Sequence, residues 1–438
     1  MKKVLSQLTI LFILSSCTPD NNTQSNRKSD DDSLTFRQVN NIFNASSPTI
    51  AEFKKLTKAD RVKAVNNLLD RHQEKGFPLI EQDSLLDGYV YVTFVHIDST
   101  HQNDITFNVF GIYDEYRFGD KKLYRLASTD LYYRTYIVPD DLCFSYRLYY
   151  ANRVTGKKSK MSDPLNPNLI PSGERKDMSW SALDLRTNED SWYVEGNHHQ
   201  SGTIDTLKLE SKLLSNSRNI YVYLPPEYNT SKEKYPVIYL FDPYIYLNLV
   251  EVPNVLDNLI YQQEIDPMIA VFIDNPSQSA RSKELPLNAQ FKDFFVTELL
   301  PFIKDRYHIT DLVDETIIGG ISYGGLAATY IAFEHPDVFG KVLSQSGSFW
   351  RDTTLTDGGE DWIRGDYLTK QFQIQEKRDL KLYLDWGLQE NWCKASGRRL
   401  VQVLKDRNYE FTFTEFNGWH DWSNSRKTFP DALRYLLE

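Results

Sequence analysis

Between residues 89 and 150 the chain carries four short runs dense in β-branched and aromatic residues: 89–95, 106–110, 131–137 and 144–150. Turn residues separate them, and short strands of this kind predict a β-sandwich. Ahead of them, Val62, Val65, Leu68 and Leu69 fall on one face at helical spacing, and Gly76 and Pro78 stop the pattern, predicting a helix over 58–75. The Pro- and Asn-rich stretches 163–167 and 170–173 mark the exit from this body. A different rhythm then begins. Apolar runs at 220–224, 236–241, 268–273, 316–320, 341–345 and 381–385 read as strands, and 291–306 and 326–334 have helical spacing. Strands alternating with helices predict an α/β fold with a mainly parallel sheet.

The first residues follow neither rhythm. Lys2 and Lys3 precede a short apolar core at 8–14, too brief to span a bilayer, and Leu14-Ser15-Ser16-Cys17 resembles a bacterial lipobox. The expected order is a lipoprotein signal peptide at 1–16 and a polar flexible linker at 17–33 starting at a lipidated Cys17. A helix and β-sandwich at 34–200 and an α/β catalytic domain at 201–438 follow. A lipid-anchored protein of the cell envelope is implied, facing the periplasm or the cell surface.

Composition adds exclusions. With 41% hydrophobic and 25% charged residues the chain is globular, not disordered or fibrous. A net charge of −10 argues against a nucleic-acid partner. Beyond Cys17, only Cys143 and Cys393 remain; they read as buried thiols rather than a disulfide framework. Neither Cys-x-x-Cys nor His-Glu-x-x-His occurs, so no metal or cofactor is expected.

The chemistry concentrates late in the chain. Gly320-Ile321-Ser322-Tyr323-Gly324 fits G-x-S-x-G, after a predicted strand and before a predicted helix. That context makes Ser322 a candidate nucleophile on a strained turn. Triad order in this fold is Ser, acid, His, and only His335 and His420 follow Ser322. His335 ends the nucleophile's own helix, with no later strand before it to supply an acid, which leaves His420 as base. The acid belongs just past the strand at 381–384, where Asp385 and Glu390 are available. Asp385 is held by the strand's pleat; Glu390, beyond Gly387, can turn toward His420 and is preferred over it. The backbone N–H of Tyr323 supplies one oxyanion donor. Pro243 has no N–H, so Tyr244 is the second.

These motifs in this order resemble the enterochelin (enterobactin) esterase family of α/β-hydrolases. The residues carrying the resemblance are Leu240-Phe241-Asp242, Arg281-Ser282-Lys283-Glu284-Leu285, the glycines around Ser322, 344–350, Gly387-Leu388-Gln389-Glu390 and His420-Asp421-Trp422. Thr129-Asp130-Leu131-Tyr132-Tyr133 and 163–167 extend it to an immunoglobulin-like sandwich ahead of the hydrolase. The resemblance implies Ser322, Glu390 and His420 as nucleophile, acid and base. It also places Arg281, Glu284, Trp350 and Trp419 beside the substrate; the chain departs from the family pattern at Trp419, where Gly is more usual, and at Arg351, where a second Trp commonly follows Trp350. For Arg281 a salt bridge with Glu284 is the competing reading. The implied substrate is the trilactone of a (ferric) catecholate siderophore, cleaved through an acyl-enzyme on Ser322. A carbohydrate or aryl esterase of feruloyl or acetyl-xylan type is the alternative, and a tethered binding protein without turnover a third reading.

Overall fold

A computed structural model describes residues 45–109, 121–170, 179–186, 200–230, 234–352 and 365–438. The expected signal peptide and linker, with Cys17, lie outside them.

Two helices open the described chain. Lys58–Arg71 is the predicted one, capped by the Thr57 side chain, and it buries Val65 and Leu68. Val62 stays exposed, so the apolar face is narrower than its spacing suggested. Pro48–Lys55, capped by Ser47, packs beside it through Ile50 and Phe53.

Two antiparallel sheets follow. The strands Leu79–Glu81, Tyr89–Ile97, Leu131–Pro139 and Tyr124–Arg125 are neighbours in one. Asn103–Val109, Cys143–Asn152, Trp180–Asp184 and Leu169–Ile170 are neighbours in the other, and Lys158–Met161 also pairs with Cys143–Asn152. Alternate residues turn inward: Ile105, Phe107 and Val109 are buried along one strand while their neighbours are not. The shared core contains Phe94, Phe107, Tyr136, Phe144 and Tyr146, with Phe94 stacked on Phe107 at 4.9 Å between ring centres.

The larger sheet has eight strands. In spatial order they are Thr203–Ser211, Asn216–Leu224, Ile269–Ile273, Val237–Phe241, Thr316–Ile321, Lys341–Gln345, Lys381–Gly387 and Glu410–Phe416. The first two are antiparallel additions at one edge; the other six run parallel, five of them as their apolar runs predict, while Glu410–Phe416 at the far edge alternates instead. Helices Val252–Tyr261 and Trp422–Leu437 bury residues such as Leu256, Leu259, Phe429 and Leu433 in the core on one face. Tyr323–Glu334 and Asn391–Asp406 contribute to the other core.

The helix expected over 291–306 is not uniform. Ala289–Phe294 and Leu300–Lys304 are joined by a π turn over Phe295–Leu299. Pro301 is the physical reason: it lacks an N–H and its ring crowds the carbonyl one turn back, so the ladder widens there.

The chain passes from Val237–Phe241 to Ile269–Ile273 on one side, then crosses to Thr316–Ile321 on the other. Such a reversal leaves a crevice at the carboxyl ends of the strands, where ligands bind in open α/β sheets.

Candidate active site

That crevice is a cavity of about 400 Å³ whose walls include Asp242, Tyr244, Arg281, Ser322, His420 and Trp422. Each follows a strand end or begins a helix near one.

Ser322 sits at φ 61°, ψ −120°, a conformation that favours glycine, between the strand Thr316–Ile321 and the helix Tyr323–Glu334. Its side chain makes no cap bond to that helix, so it is not there as an N-cap. The neighbouring glycines are required by space. A Cβ on Gly320 would lie 2.6 Å from the Gly324 carbonyl carbon, and one on Gly325 would lie 2.6 Å from Ser344 Oγ. The turn is held by Ser322 N–H donating to the Gln345 carbonyl at 2.9 Å. The Ser322 carbonyl accepts from Ser348 N–H and Leu326 N–H, both at 3.1 Å. The N–H groups of the helix's first turn have no intrahelical acceptor and carry its positive dipole end toward the serine.

Glu390 and His420 meet directly: His420 Nδ1 lies 2.6 Å from Glu390 Oε2. The other oxygen, Oε1, accepts from Ser346 Oγ and from Gly387 N–H, each at 2.7 Å. Burial by itself would raise the carboxyl's pKa. The His420 charge, with the hydrogen bonds from His420, Ser346 and Gly387, outweighs it and holds Glu390 below the ordinary glutamate range. The Nδ1 contact leaves the far ring nitrogen of His420 for the cavity it shares with Ser322.

Asp385 is a contrast. The strand Lys381–Gly387 runs past it, and its carboxylate accepts from Thr428 Oγ1 at 2.5 Å and Ser346 N–H at 3.1 Å, away from His420. Of the two candidate acids, Glu390 is the one paired with His420. His335 caps the end of the nucleophile's helix, as its place in the sequence predicts.

Arg281 lines the cavity but does not pair with Glu284. Its Nε and Nη2 bind Asp242 at 2.5 and 2.7 Å, a bidentate fork. Glu284 faces inward instead. Its oxygens accept from Arg218 Nη1 and Nη2 at 3.1 and 3.0 Å, and from Asn216 and Asn275. The expectation that Glu284 contacts substrate therefore gives way to a buried structural pair, because Arg218, Asn216 and Asn275 take up its oxygens and it does not line the cavity.

Two other residues expected around the pocket are also elsewhere. Trp350 is buried against Tyr323 and Trp392, with ring centres 6.2 and 5.9 Å away. Trp419 is buried in the core between the two antiparallel sheets, 5.6 Å from Phe144. Neither lines the cavity. Tyr244 does, on a short helix begun by Pro243 after Asp242 takes a left-handed conformation.

Asp242, Asp274 and Asn275 complete the wall. Sequence reasoning passed over Asp274 and Asn275, though both sit just past the strand Ile269–Ile273, where the carboxyl-end rule places ligand contacts. Burial, with Asp242 adding, raises the Asp274 carboxyl above its usual value.

Among the described residues one group could bring three metal-ligating atoms together: Glu390, Cys393 and His420, within 4.8 Å of one another. It fits a metal poorly. Burial and the neighbouring Glu390 hold the Cys393 thiol well above its ordinary pKa, so the thiolate a metal needs is disfavoured. Cys143 and Cys393 are both buried and free.

Residues 211–436, more than half of the chain, match the model of the family described as Esterase. The chain belongs to the Esterase family. Individual relatives agree with the resemblance read from the motifs. The iron(III) enterobactin esterase of Escherichia coli O6:H1 is 27% identical over 263 residues, 60% of this chain and 63% of that protein. The chain thus spans less than two thirds of that relative's length. The iron(III) enterobactin esterase of Dickeya dadantii is 26% identical over 397 residues, 83% of this chain and 90% of its own. Ferric enterobactin esterase from Salmonella typhimurium shares the fold, with a TM-score of 0.72 at 22% identity over 83% of this chain and 96% of that one. For this member of the Esterase family, the match covers the eight-stranded sheet from the end of its first strand and every residue proposed for chemistry.

Proposed function

We propose that this protein is a serine carboxylic-ester hydrolase that opens the trilactone of a catecholate siderophore. The observation that carries the reading is the Glu390–His420 pair at 2.6 Å beside a cavity whose wall also holds Ser322 on its strained turn. His420, oriented by Glu390 through Nδ1, takes the Ser322 proton at its far nitrogen. Ser322 Oγ attacks the ester carbonyl; the backbone N–H groups of Tyr323 and Tyr244 stabilise the oxyanion. The alcohol leaves with the proton from His420, and water, activated by the same histidine, cleaves the acyl-enzyme. The relatives named enterobactin esterase support the trilactone as the ester.

A second reading rests on charge. Among the described residues lining the cavity, Arg281 is the one arginine or lysine, and Asp242 already holds it in a bidentate pair, with Asp274 adding a second carboxylate. A trianionic ferric complex gains little there. An uncharged ester, either the metal-free siderophore or an aryl ester of a carbohydrate, meets no such opposition.

The remainder of the reading comes from the sequence. The sandwich is taken as immunoglobulin-like, residues 1–16 as a lipoprotein signal peptide, and Cys17 as the lipidated first residue of an envelope protein. Incorporation of a fatty-acid analogue that disappears in Cys17→Ala tests the anchor.

For the activity, chain lacking residues 1–32 is incubated with ferric enterobactin, metal-free enterobactin and a feruloylated sugar, beside Ser322→Ala. Mass spectrometry should show linear trimer and smaller fragments with wild type alone. Turnover surviving in Ser322→Ala would sink the mechanism. Cleavage of only the feruloylated sugar would move the substrate to the second reading.

A further inference from the structure

The base sits on a loop whose flanking side chains belong to the other body of the molecule. His420 faces the cavity, yet Trp419 before it and Asp421 after it are both turned away and buried, at 2% and 1% exposure. The Trp419 ring completes the core between the two antiparallel sheets, edge-on to Phe144. The Asp421 carboxylate accepts from Ser145 N–H at 2.6 Å and from Ser145 Oγ at 2.8 Å. It also accepts from Ser423 N–H at 2.9 Å, capping the last helix. Phe144 and Ser145 are consecutive residues of the sandwich strand Cys143–Asn152. The backbone joins as well: Cys143 N–H donates to the Asn417 carbonyl at 3.1 Å, and Cys143 bridges Gly418 in parallel register.

The same loop meets the acid's turn. Gln389 N–H donates to the Gly418 carbonyl at 3.1 Å, and a Cβ on Gly387 would lie 2.3 Å from that oxygen. Gly418 is thus the point where the sandwich strand, the base's loop and the acid's turn touch.

We propose that Ser145, Trp419 and Asp421 are positioning residues: the sandwich holds the backbone on both sides of His420 and so sets the registry between base, acid and nucleophile. A hydrogen bond to Glu390 fixes the rotation of the imidazole, but not where its Cα stands. The loop between the strand Glu410–Phe416 and the helix Trp422–Leu437 is five residues long, residues 417–421, and its two large anchors both lie in the sandwich. The β-domain's contribution to catalysis is then made through the base and does not require a contact with substrate. This inference rests on the esterase reading, since it gives His420 the part of base.

The test uses the whole chain and p-nitrophenyl butyrate. Asp421→Asn presents an N–H₂ or loses an acceptor where Ser145 offers two donors, and Ser145→Ala removes one donor only. Both are read as kcat per serine titrated with a fluorophosphonate, so misfolded protein does not count. Displacing a reacting group by about an ångström costs on the order of a hundredfold, so Asp421→Asn should lose about tenfold to a hundredfold in kcat, and Ser145→Ala less. KM should hold, because the Arg281, Asp242 and Tyr244 walls are untouched. The downfield proton resonance of the His420 Nδ1–H···Glu390 bond should shift or broaden in both variants. Lys158→Ala, exposed at the other end of the same sandwich sheet, should match wild type.

If Asp421→Asn does not fold, Ser145→Ala and Trp419→Phe decide. Wild-type kcat per titrated serine in the folded variants, with an unmoved resonance, overturns the proposal even if their melting points fall. A raised KM at unchanged kcat overturns it too, by making the sandwich a substrate-contacting surface. Absence of turnover in wild type on this ester and the three named above removes the esterase reading, and this inference with it.

Discussion

Asp385 and Glu390 are five residues apart, both buried, and their carboxyls are shifted in opposite directions. Burial, with the Glu390 charge adding, pushes Asp385 up to about 7 against the donors Thr428, Ser346 and Gln345. Glu390 is held below its ordinary value because a histidine that can carry charge is added to the same kind of neutral donors. At Asp385 the donors do not offset burial; at Glu390 the imidazole added to them tips the balance the other way. The strand decides which residue receives that partner. Its pleat carries Asp385 toward the helix Trp422–Leu437, where it joins Gln345 and Thr428, while the turn after Gly387 swings Glu390 to His420.

The comparison can be broken most sharply at Glu390. Glu390→Gln keeps shape and loses the charge opposite the imidazolium, so kcat should fall by about a thousandfold to ten-thousandfold with the circular dichroism spectrum unchanged. A loss that instead follows Asp385→Asn would reverse the assignment. Glu390→Asp retains charge but withdraws it by one methylene, and about tenfold to a hundredfold should go, again in kcat.

Asp385→Asn should leave kcat near wild type and show itself in stability. The native state holds a proton on Asp385 that the unfolded chain sheds above the ordinary aspartate pKa. Its contribution is therefore fully present below about pH 4 and lost as pH rises through about 7. Asparagine does not titrate, so the variant's melting temperature relative to wild type should climb across that window. Glu390 works on the opposite limb: its contribution is present above the ordinary glutamate pKa and lost as pH falls through its lowered value. Melting curves from pH 3 to pH 8 separate the two. The smallest effect belongs to Thr428→Val, which removes one donor from Asp385. With a hydrogen bond worth about 1 kcal/mol net, or somewhat more to a charged group, the melting point should drop by about 1–2 °C.

Much of the catalytic half was legible because its signals are local. Apolar runs mark the parallel strands, and the Gly-x-Ser-x-Gly turn carries its own steric reasons in Gly320 and Gly325. Chain order singles out His420 and loop freedom favours Glu390 over Asp385, and these are the two residues whose side chains pair. What local pattern could not convey was long-range pairing. Arg281 and Glu284 are three apart on one short helix, which suggests a pair, yet their partners Asp242 and Arg218 come from 39 and 66 residues away. Trp419, beside the base, looks like a pocket residue until the sandwich that receives it is in place. The strand Thr203–Ser211 alternates too weakly to be seen, because most of it is exposed at the sheet edge and only Leu209 and Ser211 are buried. Pro301 was in view, and its effect on the helix was not.

The backbone at Ser322 carries a cost that its proposed part as nucleophile justifies. A left-handed non-glycine residue stores about 1–3 kcal/mol, and glycine would adopt φ 61° without it. Thermal endurance and turnover therefore pull this one codon in opposite directions. A library sorted only for survival of heating should drift to glycine at position 322, and its most robust members would be inert.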